Sequence, residues 1–143
     1  MGLTDDTLIR RLLELVEKHE LDRNDFVIFG SGPLLAHGLR KEIEDLDIVA
    51  RGAVWDRAVE YGTSEIAEIN GARLAVFYDG LIQFSRGWIS DDWDADELID
   101  RAEMIGGLPF APLADVLRYK RALRRPKDSD DIQALERVLG LAG

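Results

Sequence analysis

The chain has no cysteine, only two histidines, no apolar run approaching the length of a membrane span, and far fewer cations than anions. Without cysteine there is no disulfide and no thiolate metal site. Without about 18 consecutive apolar residues, no transmembrane helix is expected. The opening residues, Met1-Gly2-Leu3-Thr4-Asp5-Asp6, lack the basic start and apolar stretch of a signal peptide. The expectation is therefore a cytoplasmic protein with no membrane partner. Lys and Arg number 18 against 28 Asp and Glu, a net charge of −10. Nonspecific binding to nucleic acid works by neutralising phosphates with Lys and Arg, so a large DNA or RNA substrate is not expected. No zinc constellation, Ser-His-Asp signature, Walker loop, internal repeat or low-complexity segment is present.

What is present suits a globular chain. With 143 residues, 46% of them hydrophobic, it is long enough for one core, and a single domain over 1–143 is expected. Leu8, Ile9, Leu12, Leu13, Leu15 and Val16 form a helical stripe over Thr4 to His19, with Thr4 as its N-cap and Asp5 and Asp6 in the first turn. Phe26 to Phe29 reads as a buried strand. A short helix follows, with Pro33 at its first position and Gly38 at its end. Asp45 to Ala50 reads as a second strand, and Ala53 to Tyr61 as a helix stopped by Gly62. Three strands, Glu65 to Ile69, Arg73 to Tyr78 and Leu81 to Arg86, are separated by Asn70-Gly71 and Asp79-Gly80, both hairpin signals. A helix over Asp94 to Ile105 is expected to break at Gly106-Gly107. Pro109 and Pro112 then frame a loop. Two final helices, Ala114 to Leu123 and Lys127 to Leu141, are split by Pro126. The order predicts an α+β fold: a mixed sheet with packed helices and a C-terminal helical cluster.

The chemistry concentrates between Phe26 and Arg51. A strand runs into Gly30-Ser31-Gly32-Pro33, and a second strand carries Asp45-Leu46-Asp47. Residues two apart on a strand share a face, so Asp45 and Asp47 project together near the glycine turn. Adjacent carboxylates repel unless a cation lies between them. Gly30 and Ser31 can approach and hold a phosphate, or they form a plain turn with Ser31 as an N-cap. Asp45 and Asp47 can ligate magnesium, or Asp45 caps a turn and Asp47 faces solvent. His37, Trp55, Trp88 and Trp93 read as structural, although Trp88 and Trp93 could also stack on a base. His19 suits a helix C-terminus.

This stretch resembles the nucleotidyltransferase superfamily, the fold of DNA polymerase beta and of the antibiotic-adenylylating enzymes. The resemblance rests on Gly30-Ser31, thirteen intervening residues, and Asp45-Leu46-Asp47. The segment Val116-Leu117-Arg118-Tyr119-Lys120 … Arg125-Pro126-Lys127-Asp128 … Asp131 looks like the tail of its small, minimal members. The resemblance implies Mg2+ or Mn2+ on Asp45 and Asp47, and a nucleoside triphosphate donor held by Gly30, Ser31, Arg40 and Lys120. It implies transfer of a nucleoside monophosphate to a hydroxyl on a small molecule or a protein. Arg40 is placed near the phosphates, or else it pairs at the surface with Glu42 or Glu44. Lys120, Arg124, Lys127, Asp128 and Asp131 line the nucleotide end of the cleft, or else form an ion-pair network between the last two helices. The family also supplies a third carboxylate from a later strand, and here that position reads as Gln83. Glutamine cannot act as a base and brings no charge to a metal. Asp79, Asp91 and Asp92 are the substitutes available. An alternative expectation follows: a catalytically degenerate nucleotide-binding or antitoxin-like interaction module.

Overall fold

A computed structural model describes residues 3–68, 71–87 and 93–141. Among the described residues, six α-helices and seven strands form a mixed α+β fold: α1 (Thr7–Lys18), β1 (Phe26–Phe29), α2 (Gly32–Ala36), β2 (Leu46–Ala50), α3 (Gly52–Tyr61), β3 (Thr63–Ile66), β4 (Arg73–Phe77), β5 (Ile82–Ser85), α4 (Ala95–Asp100), β6 (Glu103–Ile105), β7 (Leu108–Phe110), α5 (Leu113–Leu123) and α6 (Ser129–Val138). The strands make one sheet in the order β3-β4-β5-β2-β1-β7-β6. β1 pairs antiparallel with β2 and parallel with β7, β2 pairs parallel with β5, and β3-β4-β5 is the expected antiparallel meander. Among the described residues, no helix is long and apolar enough to cross a membrane.

The alternation of side chains divides the core in two. Phe26, Ile28, Ile48 and Phe84 point to one face, where α1 and α3 cover them. Val27, Phe29 and Val49 point to the other, under α4, α5 and α6. β1 is apolar at all four positions because it is central and covered on both faces.

Several local expectations are corrected. Asp6, not Thr4, caps α1: its carboxylate accepts from the Leu8 and Ile9 N–H groups at 2.9 and 3.1 Å. Asp94 does cap α4, but that helix stops at Asp100. Glu103–Ile105 is instead a strand, turning through Gly106-Gly107 into β7. Pro109 lies inside β7 rather than in a loop. It is tolerated because β7 meets β1 at one register position, Ile28 opposite Phe110, so its missing N–H leaves no ladder incomplete. The strand expected over Glu65 to Ile69 is Thr63–Ile66, shifted toward Gly62. Asp79-Gly80 forms the predicted hairpin turn, with φ of +58° and +90°. Asn70 of the other hairpin signal lies outside the described residues, as do Trp88, Asp91 and Asp92.

Candidate functional site

The site is built on the α5/α6 face of the sheet. β1 delivers the chain into Gly30, whose φ of +65° turns it sharply into α2. A side chain at position 30 would put its Cβ 2.8 Å from Asp47 Oδ2, so the Asp47 carboxylate lies directly against this glycine. Asp47 sits opposite Phe29 on β1 and opposite Gln83 on β5. Residues in register share a face, so Gln83, Asp47 and Phe29 form one row across the sheet. Asp45 lies one residue before β2, whose first N–H, from Leu46, bonds to the Leu81 carbonyl at 2.8 Å.

Burial pushes the Asp47 carboxyl up to about 6, and the charge of Asp45 adds to the rise against the opposing pull of Arg125, Lys120 and Lys127. Asp45 is also raised, first by desolvation, with Lys127 the largest opposing charge and Glu44 reinforcing the rise. Among the described residues, neither carboxylate has an ion-pair partner within 4.0 Å.

The neighbouring cluster is fully paired. Lys120, 1% exposed, donates to Asp128 Oδ1 at 2.9 Å and lies 3.4 Å from Asp131. Arg125 donates to the second Asp128 oxygen at 2.7 Å. Burial works against the Lys120 charge, but Tyr119, Asp128 and Asp131 outweigh it and hold its pKa above the usual lysine range. Burial likewise opposes the Asp128 charge, and hydrogen bonds from Lys120 and Arg125 overcome it, so its pKa is lowered. The ion-pair reading of Asp128 and Asp131 therefore holds, and Lys120 belongs to that network while also acting on Asp47.

Arg40 is not a partner of Glu42 or Glu44. Its Nη1 donates to Ser31 Oγ at 2.8 Å and lies 3.6 Å from Asp131. Ser31 stands at the N-cap of α2 with its backbone already in the helical region and makes no side-chain cap bond; its hydroxyl accepts from Arg40. Gly30, Ser31, Arg40, Asp45, Asp47, Lys120, Lys127, Asp128 and Asp131 are thus brought together, with Gln83 beside Asp47. Arg124 is not among them: it ends α5 at φ +52° with its side chain exposed. His37 lies 3.9 Å from Glu103, Trp55 is buried in the core, and Trp93 carries the Arg118 guanidinium 4.0 Å above its ring. Sequence reasoning places Arg125 and Tyr119 in the tail segment but gives neither a role of its own. Arg125 bonds to Asp128 and its charge also acts on Asp45 and Asp47, and Tyr119 interacts electrostatically with Lys120 and Asp47.

The donor chemistry at Asp45 and Asp47 is two hard carboxylates beside several fixed cations. Magnesium is held through one or two carboxylates completed by phosphate oxygens and water, so the pair fits that ion better than an all-protein cage. No group of three or more His, Asp or Glu side chains gathers as a metal-ligand set among the described residues. Comparison with protein-family models, with curated proteins and with solved structures finds no match to this chain.

Proposed function

We propose that this chain is a nucleotidyltransferase-like protein that binds the magnesium or manganese complex of a nucleoside triphosphate. The supporting observation is Asp47 against the Gly30 turn with the charge of Asp45 acting on it, neither carboxylate paired within 4.0 Å among the described residues although Lys120, Arg125, Lys127 and Arg40 act on one or both. A metal bound there would neutralise the two carboxylates and the developing charge on α-phosphate and leaving oxygens. Gly30 gives the backbone close access to phosphate, and the Ser31 hydroxyl, which accepts from Arg40, can donate its own O–H to a phosphate oxygen. Arg40 and Lys127 supply the positive field for the triphosphate tail. In the transfer reaction an acceptor hydroxyl, on a small molecule or a protein, attacks the α-phosphorus and pyrophosphate leaves.

A second reading is favoured by one observation: the residue in register with Asp47 on β5 is Gln83, which can neither take the acceptor proton nor charge the metal site. On that reading the fold is a nucleotide-binding or antitoxin-like interaction module. Titration of the chain with nucleoside triphosphates, with and without magnesium, followed by an assay for pyrophosphate release, separates the two. Binding with turnover supports the transferase. Magnesium-dependent binding without turnover supports the module. Absence of magnesium-dependent binding overturns the transferase and the nucleotide-binding module.

A further inference from the structure

The cations around the Asp45–Asp47 cleft are not held alike. Lys120 and Arg125 are committed: both donate to Asp128, at 2.9 and 2.7 Å. Arg40 is held lightly. Its Nη1 donates to a neutral acceptor, Ser31 Oγ, at 2.8 Å. Its contact with Asp131 Oδ2, at 3.6 Å, is too long for a hydrogen bond. Lys120 already lies closer to the same Asp131 oxygen, at 3.4 Å. The Arg40 side chain is 39% exposed, and an ion pair of that exposure and length is worth little.

Three segments meet at this guanidinium. Ser31 belongs to the turn between β1 and α2, and Asp131 lies in the first turn of α6. Arg40 itself leads the stretch 41–44 into Asp45. Its own N–H and that of Leu39 bond back to the Leu34 carbonyl, at 3.3 and 2.8 Å. Among the described residues, no backbone hydrogen bond then ties 41–44 to another element. The Arg40 side chain joins that stretch to both the glycine turn and α6. Its withdrawal from Asp131 would strand no charge. Asp131 keeps Lys120 and sits at a helix N-terminus, where a negative charge is favoured. A triphosphate lying on the Ser31 turn offers the guanidinium what it lacks here: paired ionised oxygens, to which its hydrogen bonds are short and bidentate.

We infer that Arg40 is a latch on this cleft. In the chain alone it ties the glycine turn to the start of α6 through Ser31 and Asp131, and the triphosphate breaks the tie by drawing the guanidinium off Asp131. The inference rests on the nucleotide reading and adds to it that ligand and Asp131 compete for one side chain. Binding at the phosphates is thereby felt at α6, and the stretch that leads into Asp45 changes its anchor.

The identity of the base does not enter, so the probe is magnesium tripolyphosphate. It is titrated by calorimetry into the unaltered chain, Arg40→Ala, Asp131→Asn and the double variant, each with the circular dichroism spectrum of the unaltered chain. Arg40→Ala should weaken binding about tenfold. Asp131→Asn should tighten it about threefold, because nothing then holds the guanidinium back. In the Arg40→Ala background the same substitution should change nothing. Equal tightening in both backgrounds would be a general effect of charge, the freeing of Lys120 included, and overturns the latch. A second readout leaves Asp131 in place. Its carboxylate carbon-13 resonance should shift when the probe saturates the unaltered chain and stay still when the probe saturates Arg40→Ala. A shift of equal size in both chains also overturns the latch. Binding without coupling between positions 40 and 131 thus removes the latch alone, whereas binding by none of the chains removes the nucleotide reading and the latch with it.

Discussion

Two aspartate pairs share the polar cluster on the α5/α6 face, and the chain treats them differently. Asp128 and Asp131 flank the start of α6 and hold Lys120 between them, with Arg125 completing Asp128. Asp45 and Asp47 flank the start of β2, and their carboxyls are raised rather than lowered. Both pairs feel the same cations. The difference is contact. Asp128 receives two charge-assisted hydrogen bonds, whose favourable terms exceed the desolvation of its charge. Asp47 has lost water without gaining such a donor, and the largest charge effect on it comes from another carboxylate, Asp45. The first pair is finished by the protein itself and the second is left at a cost that an external cation can remove.

The sharpest way to break this comparison is at Lys120. Replacing it with methionine leaves Asp128 buried without its ammonium partner. Removing one member of a buried pair typically costs about 3–5 kcal/mol, and urea unfolding should show a loss of that order at neutral pH. Asp128 has a folded pKa below its unfolded value, so its contribution is present above the unfolded pKa and fades as pH falls through the folded one. The deficit of Lys120→Met should therefore narrow in acid. Adding Asp128→Asn to Lys120→Met should recover much of it. A surface-sized loss, within about 0.5 kcal/mol, would mean that the cluster is an incidental arrangement.

The other pair predicts the opposite sign. The rise of Asp47 from 3.8 to about 6 corresponds to roughly 3 kcal/mol of strain in the charged form. Its folded pKa lies above the unfolded one, so the fold favours the protonated form. The cost is complete above about pH 6 and disappears as pH falls to the unfolded value. Asp47→Asn should thus stabilise the metal-free chain at pH 7 by up to that amount and lose the advantage near pH 4. The same substitution should abolish magnesium-dependent nucleotide binding. Stabilisation that persists unchanged in acid would assign the gain to something other than the carboxylate charge.

Gly30 tests the closeness of the turn to Asp47. Gly30→Ala must keep φ at +65° and place its methyl 2.8 Å from Asp47 Oδ2. The left-handed backbone alone costs about 1–2 kcal/mol, and the carboxylate must move aside. Thermal unfolding should fall accordingly, and magnesium-dependent nucleotide affinity should fall more than Gly38→Ala makes it fall. Gly38 also has positive φ, but open space surrounds its missing Cβ. Equal effects at the two glycines would remove the link between the turn and the site.

Much of this contrast was legible in the sequence, and the unread parts share a cause. Two-residue periodicity placed Asp47 on a strand, and the glycine turn could be read from Gly30 through Pro33. β6 could not be read, because three residues after an acidic helix, Glu103-Met104-Ile105, continue a helical pattern as well as they begin a strand. Pro109 argued against a strand that tolerates it only because its pairing with β1 is so brief. Arg125 and the Tyr119–Lys120 neighbourhood are long-range matters: Lys120 and Asp128 are eight residues apart and meet only because the chain turns at Pro126. Spacing identified which carboxylates were candidates. Which pair would be neutralised depended on how α5 and α6 fold back.

The finest test sharpens the comparison by giving the unfinished pair a third acid. Gln83 is half-buried, in register with Asp47, and its Nε2 donates to the Gly80 carbonyl at 3.1 Å. A glutamate there cannot donate at neutral pH, so that bond is lost, worth about 1 kcal/mol. Its carboxylate would also stand one strand spacing from Asp47, about 4.8 Å between backbones, and would raise the Asp47 carboxyl further. Gln83→Glu should therefore lose about 1 kcal/mol or slightly more at pH 7 without metal. Part of that loss should return below pH 6, as Asp47 takes up its proton. Millimolar magnesium should return part of it too, because a divalent cation offsets all three charges. A loss that magnesium leaves unchanged would show that position 83 acts only through its bond to Gly80. The third acid that the nucleotidyltransferase reading calls for would then have to be sought at Asp79, exposed in the β4–β5 turn, or at Asp91 or Asp92. Recovery specific to magnesium, with tighter metal binding than the unaltered chain, would identify β5 as the strand from which a third ligand reaches the site.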